Sequence, residues 1–331
     1  MIDNNMVFSL WVDFIEREFL KTEFINMIED GVINGATSNP AIFAKALKSP
    51  AYKEQLASLE GLSAKQKYEA VAIEDIKMAA IALRGLYDEG SEGYISIEVD
   101  PFLSDNTEAT LQEAKRLFKS INEPNVMIKI PATEAGYPVM RELLSDGISV
   151  NATLVFSPEQ AKKSLEAMKH GIDTFESTGG ERVEAVISVF VSRFDVALDD
   201  IIAKAGLPTS LTGIMNAALI YNIIQANHTP SVRTLFASTG VKSDKLPPDY
   251  YIRQLYAPHS VNTAPLDTIK AFESNKEPPM PTLPIPKNEI EEYFESLHNI
   301  GINIDEVRRK LLKDGLKSFE KSFKDMLDSL E

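Results

Sequence analysis

The sequence predicts an α/β protein, a closed (β/α)8 TIM barrel with additional terminal helices, and three observations carry that expectation. Eight short apolar runs recur along the chain, each followed by a stretch of helical periodicity, and that alternation builds a largely parallel sheet. Neither a P-loop nor a GxGxxG fingerprint is present to favour a nucleotide-binding sheet. The length, 331 residues, suits one long barrel, and composition shows no strong break before residue 275.

The expected strands, in order, are Met6 to Val12, Gly31 to Thr37, Tyr94 to Val99, Asn125 to Ile130, Ser149 to Phe156, Ala185 to Val191, Val232 to Ser238 and Ser260 to Thr263. A helix through Phe14 to Ile28 follows the first. Lys65 to Tyr87 places Tyr68, Val71, Ala72, Ile76, Ala79, Ala80 and Leu83 on one side, as an outer helix of the barrel would. Asn106 or Thr107 opens another helix, with Glu108 near its positive end. The sharpest boundary is Ser157, Pro158, Glu159, Gln160: a capping residue, a proline at the first helical position and a Gln closing the box. Pro265 can open a helix over Asp267 to Glu273.

Residues 277 to 286, EPPMPTLPIP, lack the amide donors and backbone freedom for regular structure and read as a stiff connector. Two helices are expected beyond it, Glu289 to Leu297 and Asp305 to Leu330. The expected organisation is therefore residues 1–276 as the barrel and 277–331 as connector and C-terminal helices packed on it. An appendage that short buries too little core to stand alone.

Hydrophobic residues at 44% and charged residues at 25% are ordinary for a folded globular protein. A net charge of −15 disfavours a polyanion partner such as nucleic acid, while still allowing a local cationic cluster for a small phosphate. With no cysteine, thiolate catalysis, disulfides and thiolate metal sites are excluded. His170, His228, His259 and His298 include no pair at helical metal-ligand spacing, so a structural metal is not expected. No apolar run is long enough to span a bilayer and the first residues do not resemble a signal peptide, so a cytoplasmic protein is expected.

Charged residues inside apolar strands are the informative positions, because burying a charge unpaired is costly. Lys129 lies in VMIKIPAT, residues 126 to 133, between Ile128 and Ile130. Alternation sends Met127, Lys129 and Pro131 to one side; if that side is the interior, the amine lies near the carboxyl end of the barrel, where such folds bind substrate. A desolvated ammonium loses its proton more readily, and a free amine can attack a ketone to form an iminium. A lysine that simply reaches solvent or a salt bridge accounts for the same pattern.

Glu98 in YISIEVDPF, with Asp100 two positions on, is the matching anomaly in the preceding strand: one or both can enter the barrel, to shuttle protons or to pair structurally with Lys129. Asp13 ends the first strand and can take a proton from a hydroxyl or cap the next helix. Asn34, Thr37, Asn39, Asn151 and Thr153 interrupt apolar patterns; the last two share a strand face and can hold a hydroxyl, orient a water, or satisfy one another. Arg193, near Ser188 and Ser192, offers a planar donor fork suited to phosphate, or an ion pair with Asp195. Lys242, beyond Gly240, adds a second cation on the rim that barrels use for phosphate.

These segments, in this order, resemble the transaldolases, class I aldolase-type barrel enzymes of the pentose phosphate pathway, and among them the longer bacterial forms whose first strand reads SLWxD. The likeness spans about Phe8 to Phe272 through NGATSNPAIF (34 to 43), ISIEVDPFLSDNTEAT (95 to 110), VMIKIPAT (126 to 133), NATLVFS (151 to 157) and ISVFVSR (187 to 193). The resemblance implies Lys129 as the Schiff-base lysine, Glu98 as the acid/base working through water with Thr153, and Asp13 as the group handling a donor hydroxyl proton. It also implies Asn39 and Asn151 against donor hydroxyls, Ser188 and Phe190 in the pocket wall, and Arg193 on the phosphate.

Two segments depart from the family pattern. A second phosphate cation falls in ASTGVKS, where only Lys242 is available, and the eighth strand reads VNTAPL where VNTMPP is expected. The implied reaction is reversible transfer of a dihydroxyacetone unit from sedoheptulose 7-phosphate to glyceraldehyde 3-phosphate, with no cofactor, by a monomer or homodimer. A fructose 6-phosphate aldolase and a noncatalytic sugar-phosphate-binding barrel are the rival readings.

Overall fold

A computed structural model describes residues 8–90, 92–227 and 229–331. Met6 and Val7, the expected start of the first strand, and His228 lie outside the described residues. Eight strands close a parallel barrel in chain order: β1 (Phe8–Val12), β2 (Gly35–Thr37), β3 (Tyr94–Glu98), β4 (Val126–Pro131), β5 (Val150–Val155), β6 (Ala185–Phe190), β7 (Val232–Ala237) and β8 (Ser260–Ala264). β8 pairs with β1, with Thr263 opposite Trp11, so no strand edge is left open. The second strand is shorter than the sequence suggests. Gly31 takes a left-handed turn, and the amides of Val32 and Ile33 both donate to the Met27 carbonyl, holding that stretch against the preceding helix.

Period-two alternation sorts the apolar residues into two cores. Ile128 and Ile130 face outward and pack with Val139, Met140 and Leu143 in the layer between sheet and helices. Trp11, Met127, Val186, Leu235 and Val261 fill the inside of the barrel. The interior position of Met127 fixes the direction of its neighbour two residues on, so Lys129 also points in.

Local chemistry sets most helix boundaries. Ser157 and Gln160 form the reciprocal capping box of the helix Pro158–Ser177. Asn106 caps Thr107–Ile121 by accepting from the Ala109 amide. Two expected helices are each broken in two. The first runs as Arg17–Lys21 and Glu23–Glu29, parted at Thr22, whose hydroxyl turns back to the Glu18 carbonyl and whose backbone leaves helical angles. The second runs as Ala64–Ala82 and Arg84–Glu89, meeting at Leu83.

Past β8 come Leu266–Ser274 and the proline-rich stretch, which is tied to the barrel wall by Thr282 N donating to Tyr256 O at 3.0 Å and Asn222 Nδ2 donating to Ile285 O at 2.8 Å. The helices Lys287–Asn299 and Ile304–Asp328 follow. The last crosses the carboxyl mouth of the barrel: Phe319 joins the interior cluster, and Phe323 meets Tyr68 edge-on with ring centroids 5.4 Å apart.

Gly35 faces Trp11 across the β1–β2 pair, and a methyl group there would come within 2.7 Å of the indole ring and of the Tyr94 carbonyl. Gly35→Ala should therefore cost about 1 to 3 kcal/mol through overpacking. The urea unfolding midpoint checks it; a midpoint equal to wild type would show that the barrel floor has slack.

Candidate active site

β3 and β4 run in register so that Glu98 lies directly beside Lys129, and the next pairing sets Lys129 beside Asn151. Three polar side chains thus enter one level of the barrel interior, just above the apolar layer that contains Met127. Lys129 is 5% exposed and Glu98 6%. The lysine Nζ donates to the Ser38 carbonyl at 3.1 Å and stands 3.9 Å from Glu98 Oε2. That separation is too long for a hydrogen bond, so the two groups interact by charge without being locked together. Neither carboxyl oxygen of Glu98 has a hydrogen-bond partner among the described residues.

Burial is the main force on Glu98. It pushes the carboxyl up to about 7; the Lys129 charge opposes that rise and Asp13 adds to it. Asp13, at the end of β1, keeps some exposed surface, yet crowding protein raises its carboxyl above the ordinary range. Lys129, a hydrogen bond from Thr37 and Lys242 all act against that rise. The Thr37 hydroxyl lies 2.7 Å from Asp13 Oδ1 and 2.7 Å from the Thr263 hydroxyl, fixing the carboxylate to three neighbouring strands.

A cavity of about 190 Å³ opens above this level. It is below the size range of drug-like sites and suits a small polar ligand. Asp13, Asn39, Lys129, Ser188, Phe190, Arg193 and Lys242 all line it, so most of the residues singled out in the sequence converge here. Asn39 is also the N-cap of the helix Pro40–Ala46; its Oδ1 accepts from the Ile42 amide at 3.1 Å, and its amide nitrogen has no partner among the described residues. Arg193 lies with its guanidinium carbon 5.2 Å from the Phe190 ring centre, and burial lowers its proton affinity. It is not paired with Asp195, which accepts from the Gly213 amide and the Tyr251 hydroxyl instead. Lys242 forms no hydrogen bond or ion pair among the described residues.

Three candidates, Glu98, Asn151 and Thr153, are not on its lining. Asn151 is fully buried, accepting from Ser188 Oγ at 2.6 Å and donating to Ser96 Oγ at 3.0 Å. Thr153 is fully buried, and its hydroxyl has no hydrogen-bond partner among the described residues. A bulge in β5 between Ala152 and Val155 places Leu154 in the left-handed region, and both Leu154 and Phe156 then join the interior cluster. Asp100 does not enter the barrel. It pairs with Lys65 at 2.6 Å and caps a short turn through the Phe102 amide.

Sequence reasoning missed Thr263, Ser238 and Thr239 near the mouth and Ser318 and Ser322 from the last helix, all in or beside the cavity wall. A hydroxyl in a strand end or on a helix surface has no pattern to mark it. A second cleft, lined by Tyr137, Arg141, Lys163 and His170, contains no buried ionisable group and offers no comparable chemistry.

A closed (β/α)8 barrel in which the buried Lys129 stands beside the buried carboxyl of Glu98 and lines a small cavity at the carboxyl mouth defines the class as a TIM-barrel protein with an enclosed polar site. Comparison with known proteins narrows the class. Residues 10–330 match the model of the Transaldolase/Fructose-6-phosphate aldolase family, and this chain belongs to that family. It is 48% identical to a transaldolase of Campylobacter jejuni strain 81-176, over 98% of this chain and 99% of that one. It is 44% identical to a transaldolase of Helicobacter pylori strain Shi470, over 97% and 99% respectively. The chain is thus an enzyme that transfers an aldehyde or ketone group.

An acid whose folded value is raised, as for Glu98 from 4.5 to about 7, contributes stability that is full below pH 4.5 and is lost as pH rises through 7. Glu98→Gln removes that dependence. Thermal midpoints of both proteins at pH 5 and pH 8 should shift in favour of the variant at the higher pH, and parallel midpoints would show that Glu98 titrates normally.

Proposed function

We propose that the transaldolase reaction runs on Lys129, and the observation that carries this reading is the buried amine at the barrel mouth, 3.9 Å from a buried carboxyl that has no hydrogen-bond partner among the described residues. In its free form the amine attacks C2 of sedoheptulose 7-phosphate to give a carbinolamine. Glu98, near half-protonated at neutral pH, donates a proton to the departing hydroxyl, directly or through a water held by Thr153. Water leaves and an iminium remains. Asp13, a stronger base for its crowding, takes the C4 hydroxyl proton as the C3–C4 bond breaks, and the bonding electrons move into the iminium to form an enamine. Erythrose 4-phosphate departs. The enamine then adds to glyceraldehyde 3-phosphate, and reversal of the first steps releases fructose 6-phosphate.

Positions around the cavity support the other roles. Asn39, and Ser188 backed by Asn151, face the donor hydroxyls, while Phe190 forms the wall on which Arg193 rests. Arg193 and Lys242 hold the phosphate, and neither has a hydrogen-bond or ion-pair partner among the described residues. Sugar phosphates being cell-internal metabolites, a cytoplasmic setting belongs to the same reading; no described helix is long and apolar enough to cross a membrane. No tyrosine is among the residues lining the cavity, and with Glu98 facing the lysine, the reading favours transfer over release of free dihydroxyacetone.

Sodium borohydride reduction in the presence of fructose 6-phosphate, followed by peptide mapping, should tag Lys129 in wild type and nothing in Lys129→Ala. Transfer to erythrose 4-phosphate should fall at least about a thousandfold in that variant. A tag on Lys242, or a variant that still forms the adduct, would refute the assignment. Glu98→Gln should also lose the fall in adduct formation above about pH 7; retention of that limb would move the acid elsewhere.

A further inference from the structure

The last helix, Ile304–Asp328, contributes side chains to the cavity, and their placement has a consequence for the substrate that rests on the reading just given. Gly315 is buried where this helix packs against Leu154 and Phe156. A methyl group there would meet Leu154 Cδ2 at 3.0 Å and Arg193 Nη1 at 3.5 Å. Glycine in a helix interior is less favourable than alanine, so the helix forgoes intrinsic stability where it passes Leu154 and Arg193.

Ser318, Phe319 and Ser322 follow at three, four and seven residues from Gly315, on the same helix face. Rotation of that face is fixed on both sides. Phe319 is buried in the interior cluster, and Phe323 is held between Tyr68 and Phe102, with centroids 5.4 Å and 6.1 Å away. The two serines line the same cavity as Arg193 and Lys242. On other helices Ser120 donates to Arg116 O at 2.8 Å and Ser145 to Arg141 O at 2.9 Å, each turning back on its own backbone, whereas the buried Ser164 has no partner among the described residues. Among the described residues, Ser318 and Ser322 make no such bond.

We infer that the last helix reads the phosphate end of the substrate, with the Ser318 and Ser322 hydroxyls joining Arg193 and Lys242 around the anion. The two cations supply charge, and the hydroxyls complete the oxygen shell with donors that need no counter-charge in an already acidic protein. A helix supplied from the C-terminal end of the chain thereby sets the preference for phosphorylated over unphosphorylated ligands, while Lys129 chemistry at the opposite end of the cavity proceeds without it.

The test is the double variant Ser318→Ala/Ser322→Ala in the full chain, since alanine favours helix and leaves the fold supported. Two half-saturation concentrations are compared with wild type: fructose 6-phosphate in the transfer assay, and dihydroxyacetone, which has no phosphate, in borohydride trapping on Lys129. The KM for fructose 6-phosphate should rise about tenfold or more, the size of a lost hydrogen bond to a charged group, with trapping of dihydroxyacetone unmoved. Ser318→Thr/Ser322→Thr, which retains both hydroxyls, should recover most of the affinity. An unchanged KM, or an equal rise for both ligands, overturns the inference alone. Failure of wild type to trap anything on Lys129 would remove the mechanism it rests on, and the inference with it.

Discussion

A lysine and a glutamate held side by side inside a closed barrel, close enough to feel each other's charge yet too far apart to bond, are the constraint around which the site is organised. Parallel register between β3 and β4 makes them neighbours, and closure of the barrel denies both groups ready access to water. A direct salt bridge would have been the structurally economical arrangement for two buried ions. Here the lysine donates to a backbone carbonyl and the carboxyl is left to take up a proton near neutral pH. That arrangement sets an amine on the cavity wall with a carboxyl beside it, the pair on which the proposed imine chemistry would run.

The surrounding residues divide by distance from this pair. Thr37 and Thr263 anchor Asp13, while Asn151 anchors Ser188, so the groups facing the cavity are themselves positioned by buried hydrogen bonds. The bulge in β5 turns Leu154 inward beneath the last helix, where Gly315 lets the two approach. Barrel and terminal helix therefore meet beside Arg193.

Much of this was legible in the residues themselves. Alternation in VMIKIP could be read because the inside and outside of a barrel strand are both apolar, so a single lysine breaks the pattern on one known side. Helix starts at Ser157 and Asn106 were legible because capping is a contact over three residues. Long-range facts were not. Asp100 shares the alternation of Glu98 but follows the end of β3, where Lys65 from an outer helix claims it. Likewise, the partners of Asp195 come from the Gly213 and Tyr251 backbone and side chain, far along the chain, and nothing near Arg193 foretold them. The bulge at Leu154 is hidden in a run whose every residue suits a strand. Serines at 318 and 322 look like any solvent-facing helix positions until the helix is laid across the mouth.

The most direct measurement is a crystal structure of the enzyme reduced with borohydride in the presence of dihydroxyacetone. Continuous density from Lys129 Nζ to the ligand C2, with a Glu98 oxygen within hydrogen-bond reach of the new linkage through at most one water, is the predicted result. Density joining the ligand to any other lysine, or a Lys129 side chain turned out of the cavity, would contradict the account.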